Sequence, residues 1–373
     1  MNILELCLSS GLGGLELYTY RCSIALQENH DVITVAQQDS KLDHHYQANS
    51  SIERIHLQRS RSPLPLLNAL KLARIIDRHD IDILHMHWGK DLALASLAKR
   101  LSKRKPKLVY TRQMMITRHK NDAYHRFLYG QVDLIITITK QLESLCRKFI
   151  PCEHMSIRTL YYGVKSADRI ADDDRRSART EKGFDDDDFV AGLFGRLEDG
   201  KGQHLLIKAL ALFKLSRARF AGQNIKALIV GHEMTPGYRD ELIELAQRLG
   251  VMDSIVFNDF VTDPQRLMQI CDCICLTTYE ETFGLVLPEA MRAGVAVIGS
   301  NAGGVPEIID HQQTGLLFDS KDDESLYQQL LYYYEDPARR EEIAQRGKQK
   351  ADEIFDEATH FEQLDSILQE TAA

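Results

Sequence analysis

At 373 residues the chain exceeds the usual size of one hydrophobic core, so two domains of roughly 150–200 residues are expected. Apolar residues make up 44% and charged residues 27%, the balance of a soluble globular protein. No apolar run reaches the roughly 18 residues of a membrane span. The opening Met1–Leu6 lacks a positively charged leader and carries Glu5 inside its apolar run, so it reads as a buried first strand and not as a signal peptide.

The net charge of −8 conceals a division. Residues 1–150 carry 22 Lys and Arg against 14 Asp and Glu, whereas the remainder carries 24 against 40. The basic excess gathers at Lys99, Arg100, Lys103, Arg104, Lys105 and Lys107, with Arg112, Arg118, His119 and Lys120 close behind. A basic half suggests an anionic partner, an acidic membrane surface or a phosphorylated acceptor. The plainer alternative is a solvated helix end and loop. Aromatic residues do not interleave with these charges, which argues against nucleic acid. The seven cysteines show no framework spacing, and Cys271, Cys273 and Cys275 alternate along one strand face. They are expected to be reduced core residues of a cytoplasmic protein, not a metal knuckle.

From the N-terminus, short apolar runs alternate with helical patterns, the signature of α/β units around a parallel sheet. Strands are expected over Asn2–Leu8, Asp31–Ala36, Ile83–His87, Lys107–Thr111 and Leu134–Thr139, with helices over Leu15–Glu28, Leu64–Arg78 and Leu92–Leu101. The seam from Gly163 to Asp188 holds two acidic runs, Asp172–Asp174 and Asp185–Asp188, around an Arg-rich stretch. It reads as a solvated connection, and its Asp-x-Asp as a turn in preference to a cation site. The strand pattern then restarts over Phe189–Leu193, Ala227–Val230, Ile255–Phe257, Cys273–Leu276 and Val295–Gly299. Phe355–Leu368 closes the chain as an amphipathic helix. The expected units are residues 1–165, 166–354 and a terminal helix in 355–373, with ligands in a cleft between the two α/β halves.

Three segments carry chemistry. Gly195-Arg196-Leu197-Glu198-Asp199-Gly200-Lys201-Gly202 follows an apolar strand, and a loop at the carboxyl end of a parallel strand faces the ligand crevice. Its glycines let N–H groups approach an anion, while Arg196 and Lys201 supply a fork and a point charge suited to a diphosphate. Alone, the segment is equally an ordinary turn with solvated charges. In Glu281-Thr282-Phe283-Gly284-Leu285-Val286-Leu287-Pro288-Glu289, Pro288 is placed to open a helix. One carboxylate suits sugar hydroxyls and the other a ribose diol, with the Gly284 region near phosphate. Glu289 alternatively answers only a helix dipole. Gly11-Leu12-Gly13-Gly14-Leu15-Glu16 is an open glycine turn after the first strand, without the Gly-x-Gly-x-x-Gly spacing. His85 and His87 share one face of a strand end, but no third ligand stands at a convincing spacing, so no metal site is expected.

Together, Gly195-Arg196 with Lys201-Gly202, Glu281-x7-Glu289 and Gly303-Gly304-Val305-Pro306-Glu307 closely resemble the family 4 retaining glycosyltransferases of the GT-B fold, the glycosyl transferases group 1. Gly13–Glu16 and Asp82-x-x-His85-x-His87 look like the same family, so the resemblance spans nearly the whole chain. It implies two Rossmann-like parallel-sheet domains facing across a cleft, with the C-terminal helix crossing back to the first. Arg196 and Lys201 would neutralise the donor diphosphate, doing without metal what magnesium does elsewhere. Glu281 would contact the transferred sugar, Gly195, Phe283, Gly284 and Leu285 would lie along sugar and phosphate, and Glu289 would hold the ribose hydroxyls. Gly13 and Gly14 would close the floor of the site, with Glu16, Arg112 and Gln113 on the substrate side. Two departures stand out. Gln113 occupies the place of a His found in many relatives, and it can hydrogen-bond a sugar but cannot act as acid or base. Tyr162-Gly163-Val164 replaces Asn-Gly-Val.

The expected reaction transfers a hexose-type unit, with retention and no assigned nucleophile, from a nucleotide diphosphate sugar to a hydroxyl of a glycan or glycolipid. The expected setting is cell-surface polysaccharide or lipopolysaccharide synthesis. A UDP-sugar is expected before a GDP-sugar, and no other cofactor. The expected partners are donor, acceptor and an anionic membrane surface met by the basic first domain, on the inner face of the membrane. The rivals are a sugar-nucleotide epimerase of the same fold, disfavoured by Glu281-x7-Glu289, and a catalytically silent nucleotide-sugar-binding subunit, which Gln113 keeps open.

Overall fold

A computed structural model of the chain describes residues 1–216 and 224–373. The chain divides into two compact units, Met1–Tyr161 with Ala358–Ala373, and Tyr162–Glu357.

The first unit is built on seven strands: β1 Asn2–Cys7, β2 Asp31–Ala36, β3 Glu53–His56, β4 Ile83–Met86, β5 Lys107–Arg112, β6 Leu134–Thr137 and β7 Ser156–Thr159. All pair in parallel in the order β3-β2-β1-β4-β5-β6-β7. The five strands expected from apolar runs are the five inner ones. The two not expected, β3 (Glu-Arg-Ile-His) and β7 (Ser-Ile-Arg-Thr), are the edges. An inner parallel strand is covered on both faces and reads as an apolar run, whereas an edge strand keeps polar, exposed positions.

The helix expected from Leu64 begins at Leu66, since Leu64 precedes Pro65 and proline disfavours helical geometry in the residue before it. The terminal helix runs Glu357–Ala372 and buries His360, Leu364 and Leu368. From Ala358 onward it belongs to the first unit. There the His360 Nδ1–H donates to the Tyr161 carbonyl (2.7 Å), and Nε2 accepts from the Tyr18 hydroxyl (3.0 Å).

The second unit carries β8 Phe189–Phe194, β9 Ile225–Val230, β10 Ile255–Asn258, β11 Cys273–Leu276, β12 Ala296–Ser300 and β13 Leu316–Phe318. They pair in parallel in the order β10-β9-β8-β11-β12-β13. The strand missed here, β13, is again an edge and has only three residues. Leu206, Ile229, Ile298, Leu330 and Tyr333 pack with Cys273 and Cys275 in the core, and all seven cysteines are free thiols.

One expectation is corrected. The stretch read as a solvated seam folds onto the second unit: Asp172–Glu181 is a helix, with Asp172–Asp174 in its first turn, where the dipole favours carboxylates. Its Arg179 is fully buried and donates to the carbonyls of Ile270 (2.9 Å), Asp185 (3.1 Å) and Asp188 and to the Asp272 carboxylate. Asp185–Asp188 is a tight turn in which the Asp185 N–H donates to Asp188 Oδ2 (2.9 Å). The basic residues of the first unit lie at both ends of β5. Lys99 to Lys107 lie at the amino end of β5, where Lys99 pairs with Asp133 and Arg104 with Asp82. Arg112 stands at the carboxyl end of that strand, about 17 Å away at roughly 3.3 Å per residue.

Candidate active site

In the second unit, the loops leaving β8, β9, β11 and β12 are held together by close backbone approaches. A β-carbon on Gly231, after β9, would lie 1.8 Å from the Gly195 carbonyl oxygen, after β8. The short 3-10 turn Asp199–Lys201 is stitched to the loop after β11 by Tyr279 N–H to Gly200 carbonyl (3.1 Å) and Thr277 hydroxyl to Lys201 carbonyl (2.6 Å). These contacts bring Lys201 Nζ to 2.9 Å from Glu281 Oε2, with both side chains about one-fifth exposed. The other oxygen of Glu281 accepts the Thr282 N–H (3.2 Å).

The Gly303-Gly304 pair, after β12, positions Glu281 from below. Gly303 has φ +62°, and the Gly304 N–H donates to the Glu281 carbonyl (2.8 Å). Gly284, with φ +92°, lets the chain turn beside the Glu281 side chain, whose Cγ would lie 3.2 Å from a β-carbon there. The helix that follows begins at Val286, two residues before the expected Pro288, and carries Glu289 in its first turn. Phe283 is buried against Tyr162 and Phe355, so at this position the backbone is what a ligand can meet. Arg196 is half exposed and pairs with Glu198 (3.0 Å), while its carbonyl accepts from the fully buried Gln203 (2.8 Å). Two cations on these loops, Lys201 beside Glu281 and Arg196 beside Glu198, flanked by glycine turns, can take up a diphosphate and hold a hydroxylated ring beside it.

In the first unit, the carboxyl ends of β1, β4 and β5 converge on a buried polar network. Glu5 Oε1 accepts from His85 Nδ1 (2.9 Å), and Oε2 accepts from His87 Nε2 (2.5 Å). The remaining nitrogen of His85 meets the Thr111 hydroxyl (2.7 Å), and that of His87 accepts from Gln113 Nε2 (3.5 Å). Burial pushes the Glu5 carboxyl up, but the two imidazoles outweigh it and hold it at about 2. Burial, with His85 beside it, pulls His87 down to about 4 against Glu5. Glu5 is thus the third group that the spacing of His85 and His87 did not reveal. The three could ligate a metal by composition, yet every ring nitrogen and both carboxylate oxygens are already spent inside the network, and all three side chains are buried. An acid within an apolar run was the available signal, since a buried charge needs a partner.

Glu16 and Gly13 are brought together differently from the expectation. Glu16 accepts from the Ser9 hydroxyl and from the Gly13 N–H (2.8 Å), closing the first turn of the helix Gly14–Leu26, so its carboxylate is engaged within the glycine turn. Gly14 has open space where a side chain would be. Arg112 is buried, and donates to the Tyr110 hydroxyl and the Met115 carbonyl (both 3.3 Å) while its Nε finds no partner among the described residues. Sequence reasoning also missed Asp91, which accepts the Leu8 N–H (2.8 Å) and which burial pushes up to about 7.

Residues 174–350 match the family model described as glycosyl transferases group 1, and residues 5–139 match the glycosyl transferase 4-like model. The chain belongs to this glycosyltransferase family. Among relatives of this glycosyltransferase, the N-acetyl-alpha-D-glucosaminyl L-malate synthase of Bacillus anthracis is 25% identical over 311 residues, 82% of this chain and 79% of that one. The D-inositol 3-phosphate glycosyltransferase of Rhodococcus opacus is 31% identical over 203 residues, 53% of this chain and 45% of that one. The crystal structure of HepE from Anabaena in complex with UDP superposes with a TM-score of 0.83 at 25% identity, covering 99% of this chain and 100% of that one. A Rickettsia africae glycosyltransferase reaches 0.88 at 19% identity over 99% and 98% of the two chains, a likeness of fold. The fold class is accordingly GT-B, two Rossmann-like parallel-sheet units. Among the described residues, no helix is long and apolar enough to cross a membrane.

Proposed function

We propose that this glycosyltransferase moves a hexose-type sugar, with retention and without a metal, from a UDP-sugar to a hydroxyl of an anionic glycan or glycolipid acceptor. The observation that carries the reading is Lys201 held 2.9 Å from Glu281. In the reaction, the bond between the anomeric carbon and the donor phosphate oxygen breaks, and a bond from that carbon to the acceptor oxygen forms on the same face. The acceptor proton leaves with the nucleotide diphosphate. Lys201 and Arg196 stabilise the charge that develops on the leaving group. Glu281 accepts hydrogen bonds from the transferred sugar, with the backbone of Gly195, Phe283, Gly284 and Leu285 alongside, and Glu289 takes the ribose diol. Within the first unit, Gly13 and Gly14 are assigned to ligand binding, and Gln113, oriented by His87, to contact with a sugar.

A UDP-sugar is supported by the UDP and UDP-glucose complexes of the Anabaena neighbour. An anionic acceptor is supported by the buried Arg112 without a carboxylate partner among the described residues. The names of two relatives, which specify malate and inositol 3-phosphate, point the same way. The basic first unit further supports work on a surface-glycan or lipopolysaccharide precursor at an anionic membrane, on its cytoplasmic face.

Nucleotide release measured with and without candidate acceptors tests the reading. Transfer needs an acceptor, epimerisation would proceed without one, and a silent binder would release nothing. A panel of nucleotide sugars in a thermal-shift assay identifies the donor, because a ligand of the folded state raises its apparent stability. No shift with any of them would sink the proposal.

A further inference from the structure

The helix Leu66–Arg78 buries one face through Ala69, Leu72, Ala73 and Ile76. Its opening turns nevertheless leave Leu66, Leu67 and Leu70 exposed by 54%, 78% and 40%, next to Leu64 at 49%. Positions 66, 67 and 70 are neighbours on the helix surface, so these leucines form one outward apolar tip and not scattered single residues. Exposed Lys71 and Arg74 follow on the helix, and exposed Arg59 and Arg61 precede it. From Leu57 to Ile76 there is no Asp or Glu. The Tyr124 hydroxyl donates to the Pro63 carbonyl (2.6 Å), which anchors the tip to a neighbouring helix. The chain enters this turn from the carboxyl end of β3, so the tip lies at the same end of the first sheet as His87 and Gln113.

An apolar tip bordered by cations, on a segment without Asp or Glu, matches the headgroup boundary of an anionic bilayer. Leucines enter the acyl region while Lys and Arg stay with the phosphates. We infer that the Leu64–Leu70 turn is the membrane-docking element of this protein, and that the Lys99–Lys107 run is not. The inference rests on the membrane-associated reading above and assigns it a surface. Because the tip shares the active end of the sheet, docking there presents that end to a lipid-linked acceptor.

The test is sedimentation of the full chain with vesicles of phosphatidylcholine alone or mixed with phosphatidylglycerol. The parent chain is expected to bind only the anionic vesicles, and less at higher salt. Leu67→Ser with Leu70→Ser, and separately Arg61→Glu with Arg74→Glu, should each weaken binding by about tenfold or more. Both double variants alter exposed positions, and an unchanged melting temperature checks their fold. Lys103→Glu with Lys105→Glu should bind like the parent. Parental binding by the leucine and arginine variants would overturn the assigned surface while leaving membrane association standing. A parent chain that binds neither kind of vesicle would overturn both.

Discussion

The Glu281 carbonyl oxygen lies 1.9 Å from the point where residue 303 would carry a β-carbon, so only glycine fits beneath the catalytic carboxylate of the proposed site. The left-handed backbone at Gly303 adds to that restriction. Gly303→Ala should therefore move Glu281 away from Lys201 and cut transfer at least about tenfold. Strain at such a position costs about 1–3 kcal/mol, so the melting temperature should fall as well. Steady-state kinetics and thermal unfolding check both. Full activity at an unchanged melting temperature would show that the close approach does not matter.

Lys201→Ala separates chemistry from stability. Removing one preorganised charge opposite a leaving group costs about 10²–10³ in rate, whereas a partly exposed ion pair contributes about 0–1 kcal/mol to folding. Transfer should collapse while the melting temperature barely changes. Arg196→Ala, removing a half-exposed cation already paired with Glu198, should also lower kcat, but more weakly. A Lys201→Ala enzyme with parental kcat would contradict the assignment.

Gln113 reports on the first unit. Gln113→Ala removes the amide that donates to His87 and should lower transfer about tenfold, the scale of one hydrogen bond to a charged or developing-charge group. Stabilisation by UDP alone should match the parent, since Gln113 is proposed to meet the sugar and not the nucleotide. Loss of UDP-induced stabilisation in this variant would place Gln113 elsewhere in the site.

Burial holds both His87 and His360 at about 4, below the ordinary histidine value of about 6.5. The unfolded chain therefore binds more protons between those values. The stabilisation from each group is complete above about pH 6.5 and is lost as the pH falls through about 4. Glu5, held at about 2, extends the loss below the ordinary carboxylate range. The melting temperature should decline steadily from pH 7 to 4.5, and His360→Gln should make that decline shallower. A flat profile over this range would count against neutral, buried histidines.

The sequence by itself determined the two α/β halves and the order of the inner strands along the chain, because strands covered on both faces must be apolar throughout. It also marked Lys201, Glu281 and the Gly303-Gly304 pair, because glycines and charges on the loops after strands keep a recognisable spacing. The edge strands β3, β7 and β13 were not legible, since an edge tolerates polar residues and short length. Tertiary structure alone placed Glu5 between His85 and His87, 80 and 82 positions away, because strand neighbours in a parallel sheet are set by crossovers and not by adjacency in the chain. It turned the Gly303-Gly304 pair from a motif into the support beneath Glu281, a relation that depends on two loops from neighbouring strands meeting backbone to backbone. It also sent the basic residues that flank β5 to opposite ends of one sheet, because an extended strand carries its two ends apart.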